Sequence, residues 1–193
     1  MVAIVAWRAW VHGFTVAELG LLIDAKWHVL SSGIVGGAAL AGLQWFNLRR
    51  MGRLPATSRG LLQPLAERIF PQAAVEMLPF FALALTAGIC EEFLYRGFAL
   101  GALLRTGLSV WEAVLISSFL FGLAHLYQGY GGAVGTMLLG GLFGAARISY
   151  HSLVPVVFWH SAVDLTAGVA GPRYLCQPQT ADQKPQNGAQ IIK

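Results

Sequence analysis

Ionisable side chains occur in three otherwise apolar segments of this sequence, and in two of them a pair lies one helical turn apart. An ionisable group in hydrocarbon costs at least ~2.5 kcal/mol, so each such group marks a candidate functional site. Carboxylates and imidazoles are also the groups that most often serve as general acids and bases. The residues, together with the aromatic residue that precedes one histidine, are Glu91, Glu92, Arg96, Phe121, His125, His160 and Asp164.

The first segment predicts different roles for its two glutamates. Glu92 and Arg96 are four residues apart, share a helix face and can form a charge-assisted pair, which favours a structural role. Glu91 is turned about 100° away from Glu92 and has no such partner. Glu91 is therefore the carboxylate that is free to act as a general base.

The two histidines predict the rest of the site. Phe121 lies one turn before His125, and Asp164 lies one turn after His160. Asp164 can fix the tautomer of His160 or join it in binding a substrate oxygen. Each motif alone is also compatible with a packing role. The ionisable groups are costly without mutual contact, so the joint pattern indicates one shared site.

Composition predicts the elements that position these residues. Of the 193 residues, 56% are hydrophobic and 11% are charged, whereas soluble domains carry about 25% charged residues. We therefore expect an all-α, polytopic transmembrane helix bundle of five or six spans with a four-helix catalytic core. The composition excludes a disordered chain, a coiled coil and a disulfide-stapled secreted module.

Apolar runs that are close to the length of a membrane span give the expected helices. The last four runs follow one another with short connections, which predicts a compact antiparallel bundle. Residues 1–23 are apolar but carry three ionisable groups, so they form either a sixth span, which we favour slightly, or an interfacial helix. The other expected spans are 29–48, 77–104, 110–126, 131–146 and 152–170.

The formal charge of +4 does not indicate a nucleic-acid partner, because the basic residues cluster in one polar stretch without interleaved aromatics. We expect loop 49–75 and the C-terminus to be cytoplasmic, with eight Lys and Arg residues inside against three outside. The expected regions are N-terminal membrane segments with a basic loop (1–75), a catalytic core (76–171) and a disordered polar tail (172–193). The inside residues are Arg49, Arg50, Arg53, Arg59, Arg68, Arg173, Lys184 and Lys193, and the outside ones are Lys26, Arg105 and Arg147.

The three motifs resemble those of the CAAX-protease and bacteriocin-processing family of intramembrane endopeptidases. That family has a glutamate pair followed by arginine, a phenylalanine four residues before a histidine, and a histidine four residues before asparagine or aspartate. This sequence matches all three motifs between residues 76 and 170. Asp164 stands where prenyl-protein members often have asparagine, which weakens any transfer of a prenyl-cysteine substrate.

The resemblance implies peptide hydrolysis inside the bilayer without a covalent intermediate. Glu91 resembles the base that activates water, helped by His125. His160 and Asp164 resemble the group that holds this water or stabilises the oxyanion of the tetrahedral intermediate. The remaining motif residues would shape the site around these four; they are Glu92, Arg96 and Phe121.

For cofactors, we favour a metal-free, glutamate-type mechanism. The alternative is a zinc ion bound by His125, His160 and Glu91. The sequence has no H-E-x-x-H helix, and these ligands would come from three separate helices. The implied location is an integral membrane protein of the bacterial inner (cytoplasmic) membrane.

The expected function is hydrolysis of a peptide bond in a membrane-associated protein or peptide, of the C-terminal processing, sorting-tail or bacteriocin type. The alternative is a non-catalytic bacteriocin-immunity or scaffold protein of the same fold. A proton-coupled transporter is a third hypothesis, because buried glutamate and histidine relays also carry protons. The expected partners are the substrate protein and the lipid bilayer, with no nucleic acid.

Overall fold

The computed structural model describes residues 2–23, 26–55 and 61–176, and this part of the chain is helical without strands. A continuous helical rod runs from Ala74 through a π-helical segment, Phe93–Ala99, to Arg105. A short 3₁₀ turn, Leu126–Gln128, lies between two later helices. The helices are α1 (Val2–Val11), α2 (Lys26–Gly52), α3 (Leu62–Ile69), α4 (Ala74–Glu92), α5 (Leu100–Arg105), α6 (Val110–Ala124), α7 (Tyr130–Tyr150) and α8 (Val154–Leu175).

Among the residues that the structure describes, three helices are long and apolar enough to cross a membrane. They are α2 with 27 residues, the rod Ala74–Arg105 with 32 residues, and α7 with 21 residues. Helix α6 has 15 residues and therefore extends only about 22 Å, less than the ~30 Å of hydrocarbon. The expectation of an all-α membrane helix bundle is confirmed, and three helices meet the criteria for a span.

Helix α8 lies against both α2 and α4, and glycines allow the close approach. A Cβ atom on Gly36 of α2 would overlap the indole ring of Trp159 in α8, and one on Gly52 would lie 3.0 Å from Tyr174. The later contact in α2 is also the later one in α8, so the two helices run in the same direction. Glu92 of α4 reaches His160 of α8, and this contact draws the two helices together at the candidate site.

The slight preference for an N-terminal span is wrong. Helix α1 has ten residues and extends about 15 Å, half of what a bilayer requires. The helix ends before Gly13, which has a φ of 63°. Such a left-handed conformation suits glycine and stops a right-handed helix.

Residues 12–20, here called the N-terminal cap, lie across the ends of α5, α7 and α8. Arg105 bonds both carboxylate oxygens of Glu18 at 2.7 and 2.8 Å and donates to two cap carbonyls. Arg147 donates to two further cap carbonyls. The backbone N–H of Leu153 donates to the carbonyl of Gly20 at 2.7 Å. Hydrogen bonds to Glu18 and to the backbone carbonyls of this segment therefore hold it across the end of the bundle.

The cap is expected to loosen in acid. Hydrogen bonds from Arg105 and Thr15 lower the pKa of Glu18 from its usual 4.5 to about 2. A lowered folded-state pKa contributes stability that is complete above pH ~4.5 and is lost as the pH falls from ~4.5 towards ~2. We expect the susceptibility of the cap to proteolysis to rise over this interval, and a Glu18→Gln variant to be susceptible at every pH. Parallel pH curves for the two proteins would contradict this assignment.

The expected boundary of the tail is wrong at its start. Helix α8 continues to Leu175, and this residue is buried with Leu48, Ala66 and Ala170. The apolar contact holds the last turn of α8 in place despite the polar sequence that follows. The rest of the expected disordered tail, residues 177–193, lies outside the described residues, as do Arg59, Lys184 and Lys193.

Candidate active site

Four of the predicted site residues converge between α4, α6 and α8. The Oε2 atom of Glu91 lies 3.7 Å from the Nε2 atom of His125 and 3.9 Å from that of His160. The Oδ2 atom of Asp164 lies 3.4 Å from His160 Nε2. The two distances from Glu91 exceed those of direct hydrogen bonds, so these groups are close neighbours without a direct bond.

The site contains a buried pair and a pair of more accessible carboxylates. The Glu92 and Arg96 side chains are 0% and 1% exposed, whereas Glu91 and Asp164 are 34% and 36% exposed. The side chains of Glu91 and Asp164 are therefore partly accessible, while those of Glu92 and Arg96 are enclosed. The Oε2 atom of Glu91 is itself buried and has no hydrogen-bond partner among the described residues, so it is free to accept one from a bound molecule. The separate roles expected for the two glutamates stay a prediction.

Glu92 orients His160 as well as pairing with Arg96. Its Oε1 atom accepts from Arg96 Nη1 at 3.0 Å and lies 2.7 Å from His160 Nδ1. Beside a carboxylate, this imidazole nitrogen is assigned as the donor, so its Nε2 atom faces Glu91 and Asp164. From the sequence, Asp164 could either fix this tautomer or join His160 in binding a substrate oxygen. The shorter contact with His160 comes from Glu92 on another helix.

The end of helix α6 orients His125. Its Nδ1 atom lies 2.8 Å from the backbone carbonyl of Phe121, which can only accept, so this nitrogen carries the proton. The Nε2 atom of His125 therefore faces Glu91. Because carbonyls in the last turn of a helix have no intrahelical partner, one is available to this side chain.

The Arg96 guanidinium is held between aromatic rings. Its Cζ atom lies 4.1 Å from the ring centroid of Phe121 and 5.5 Å from that of Phe143. The Phe143 ring also lies 6.1 Å from the imidazole of His160. Phe143 is absent from the residues predicted by sequence, because a phenylalanine in an apolar, glycine-rich helix carries no signal other than core packing.

Gly88 sets the approach of α4 to α8 one turn before Glu92. A Cβ atom at Gly88 would lie 2.5 Å from Ser161 Oγ and 3.3 Å from the Ser161 backbone nitrogen. This missing side chain allows Glu92 to reach His160. No sequence pattern predicts this role, because a glycine within an apolar span is usual.

A methyl group at Gly88 is expected to destabilise the protein and reduce its activity. Overpacking typically costs about 1–3 kcal/mol, and here it also separates Glu92 from His160. Adding Ser161→Ala to Gly88→Ala should restore part of both, because the closest clash is with the serine oxygen. Gly42→Ala is the control, since a Cβ there would meet nothing within 4 Å. Unfolding midpoints in detergent would test this, and equal midpoints for Gly88→Ala and Gly42→Ala would contradict it.

The zinc alternative can be compared with the donor groups present. Within the described ranges, no group of three or more His, Cys, Asp or Glu side chains is arranged to hold a metal ion. The three ligands of the zinc hypothesis are Glu91, His125 and His160, and the Oε2 atom of Glu91 lies 3.7 and 3.9 Å from the two imidazole Nε2 atoms. The metal-free and the zinc-dependent mechanisms both stay predictions.

Comparison with known protein families gives a match over the segment that carries the candidate site. Residues 71–166 match the family model described as type II CAAX prenyl endopeptidase, Rce1-like. This match contains Glu91, His125, His160 and Asp164 and excludes the N-terminal cap. No curated protein and no solved structure matches the chain. The segment that carries the candidate site therefore belongs to the Rce1-like family of type II CAAX prenyl endopeptidases.

Proposed function

We propose that this protein is an intramembrane endopeptidase that hydrolyses a peptide bond of a membrane-associated protein or peptide. The observation that carries the proposal is the position of Glu91, whose carboxylate faces the Nε2 atoms of His125 and His160 at 3.7 and 3.9 Å. A carboxylate flanked by two imidazoles can bind and deprotonate a water molecule. The family to which this segment belongs consists of endopeptidases.

The first step is attack by water. Glu91 accepts a proton from a water molecule that also donates a hydrogen bond to His125 Nε2. The resulting hydroxide adds to the carbonyl carbon of the scissile peptide, and the carbonyl oxygen becomes an oxyanion. His160, protonated on both nitrogens between Glu92 and Asp164, donates from Nε2 to this oxyanion and stabilises it.

The second step is departure of the amine. Glu91 returns its proton to the amide nitrogen, the C–N bond breaks, and the oxyanion collapses to the new carboxyl group. The products are one peptide with a new C-terminus and one with a new N-terminus. This sequence of steps forms no covalent bond to the enzyme.

A comparison of protein termini in membranes tests the proposal and identifies the substrate in the same experiment. Cells that produce the wild-type protein should contain membrane-associated proteins with new C-termini, and cells that produce equal amounts of Glu91→Gln should lack them. C-terminal processing, sorting-tail and bacteriocin-type substrates would each be identified by the cleaved sequence. Identical sets of termini in the two cell populations would contradict the proposal.

We propose a bacterial inner-membrane location with the arginine-rich end of α2 in the cytoplasm. The contacts of the cap support this orientation. In this orientation Arg105 and Arg147 lie on the side opposite the cytoplasm, which the positive-inside rule disfavours. Both arginines bond oxygen atoms of the cap, so their charges are held within the protein. Arg49 and Arg50 remain exposed at the other end of the bundle, which agrees with the positive-inside rule.

Activity is expected to be independent of metal ions. The proposed steps use only Glu91, His125 and His160 together with water, so a chelator should leave the cleavage rate unchanged. The measurement is cleavage by purified protein before and after treatment with a membrane-permeant chelator. Loss of activity that is restored by stoichiometric zinc would overturn the metal-free mechanism and leave the endopeptidase assignment in place.

A further inference from the structure

The two ends of the bundle use their arginines differently. At the end covered by the N-terminal cap, Arg105 bonds Glu18 and Arg147 bonds backbone carbonyls. At the opposite end, five arginines are exposed, and none forms an ion pair with another described residue. These five, here called the arginine cluster, are Arg49, Arg50, Arg53, Arg68 and Arg173.

The arginine cluster occupies one region of the surface. The ends of α2, α3 and α8 pack together through a buried apolar group that includes Leu48, Ala66 and Leu175, with Met51 partly buried against it. Each arginine of the cluster lies within two residues of one of these four side chains. The helix ends therefore bring together charges that are up to 124 residues apart in the sequence.

Exposed apolar side chains lie among these charges. Leu54, Leu61 and Ile69 are 43%, 58% and 42% exposed. Helix α3, which has eight residues, buries Ala66 against the bundle and carries Arg68 and Ile69 on its outer surface. A basic surface with projecting apolar side chains is typical of protein that lies at the boundary between headgroups and acyl chains.

We propose that the arginine cluster binds the headgroups of anionic phospholipids. Five arginines share this region with the carboxylate of Glu67, and the excess positive charge is repulsive. A dense layer of negative phosphates removes that repulsion. The apolar side chains of Leu54, Leu61 and Ile69 then contact the acyl chains beneath the headgroups. An acidic protein in water would provide the charge but no such apolar layer. This proposal does not depend on the catalytic assignment.

The test uses the full-length protein in detergent micelles. Dioleoylphosphatidylglycerol or dioleoylphosphatidylcholine is titrated in, and the apparent affinity is taken from the rise in the thermal unfolding midpoint. The expected result is a rise with phosphatidylglycerol that is much weaker with phosphatidylcholine and falls in high salt. Since each arginine near a membrane surface adds about fivefold in affinity, Arg50→Gln/Arg53→Gln should weaken phosphatidylglycerol binding about 25-fold.

A matched double variant provides the control. Arg8→Gln/Lys26→Gln removes two exposed charges that lie outside the arginine cluster and should retain wild-type affinity. Equal effects of the two lipids, or equal losses in the two double variants, would overturn the proposal. Binding of soluble polyglutamate at the affinity of phosphatidylglycerol would also overturn it, since it would indicate an acidic protein partner instead.

Discussion

Replacing Glu91 by glutamine is expected to abolish peptide hydrolysis and to leave the fold intact. The amide has nearly the same shape but cannot accept a proton from water, and loss of a general base lowers a rate by about 10²–10⁴-fold. The Glu91 side chain is 34% exposed, and its nearest ionisable partner lies 3.7 Å away. No buried partner is therefore left unpaired, so the unfolding midpoint should stay close to that of the wild type.

The measurement combines the cleavage rate with thermal unfolding in the same micelles. Glu91→Asp is the matched variant, because it keeps a carboxylate but moves it away from His125 and His160, and it should retain partial activity. A glutamine variant that cleaves at the wild-type rate would show that Glu91 is not the base. A wild-type protein that cleaves nothing would instead support the non-catalytic immunity or scaffold hypothesis.

The helices could be predicted from the sequence because hydrocarbon thickness limits the length of apolar runs. The expected span 29–48 lies within α2, and the expected span 131–146 lies within α7, with end shifts of a few residues. Residues 1–23 misled this reasoning because they are also apolar. Glu18 makes short bonds to Arg105, and a contact between residues so distant in sequence cannot be read from hydropathy.

The convergence of the site could be predicted from the energetic cost of isolated ionisable groups. The partner of His160 could not, because the contact from Glu92 joins residues 68 apart and depends on the approach of two helices at Gly88. The π-helical segment after Glu92 cannot be predicted from the sequence either. Its residues, Phe93–Ala99, have no local pattern that separates a π-helix from an α-helix, although such segments often occur at functional sites.

Replacing Glu92 by glutamine is expected to destabilise the protein strongly. Its Oε1 atom accepts from both Arg96 and His160, and the Arg96 side chain is 1% exposed. Removing one partner of a buried ion pair leaves an uncompensated charge and typically costs about 3–5 kcal/mol. The variant should therefore accumulate poorly and unfold at lower temperature, whereas Glu91→Gln should do neither.

A double-mutant cycle separates the ion pair from other effects of the substitution. Arg96→Gln alone should destabilise the protein to a similar degree, and Glu92→Gln/Arg96→Gln should be more stable than the sum of the single losses predicts, because no buried charge remains unpaired. His160 still loses the carboxylate of Glu92, its closer partner, in the double variant, so activity should stay low even where stability recovers. If Glu92→Gln accumulated normally and were inert, while Glu91→Gln were unstable and active, the roles of the two carboxylates would be reversed. The burial of Glu92 argues against that reversal, since a general base must reach water and Glu92 is 0% exposed.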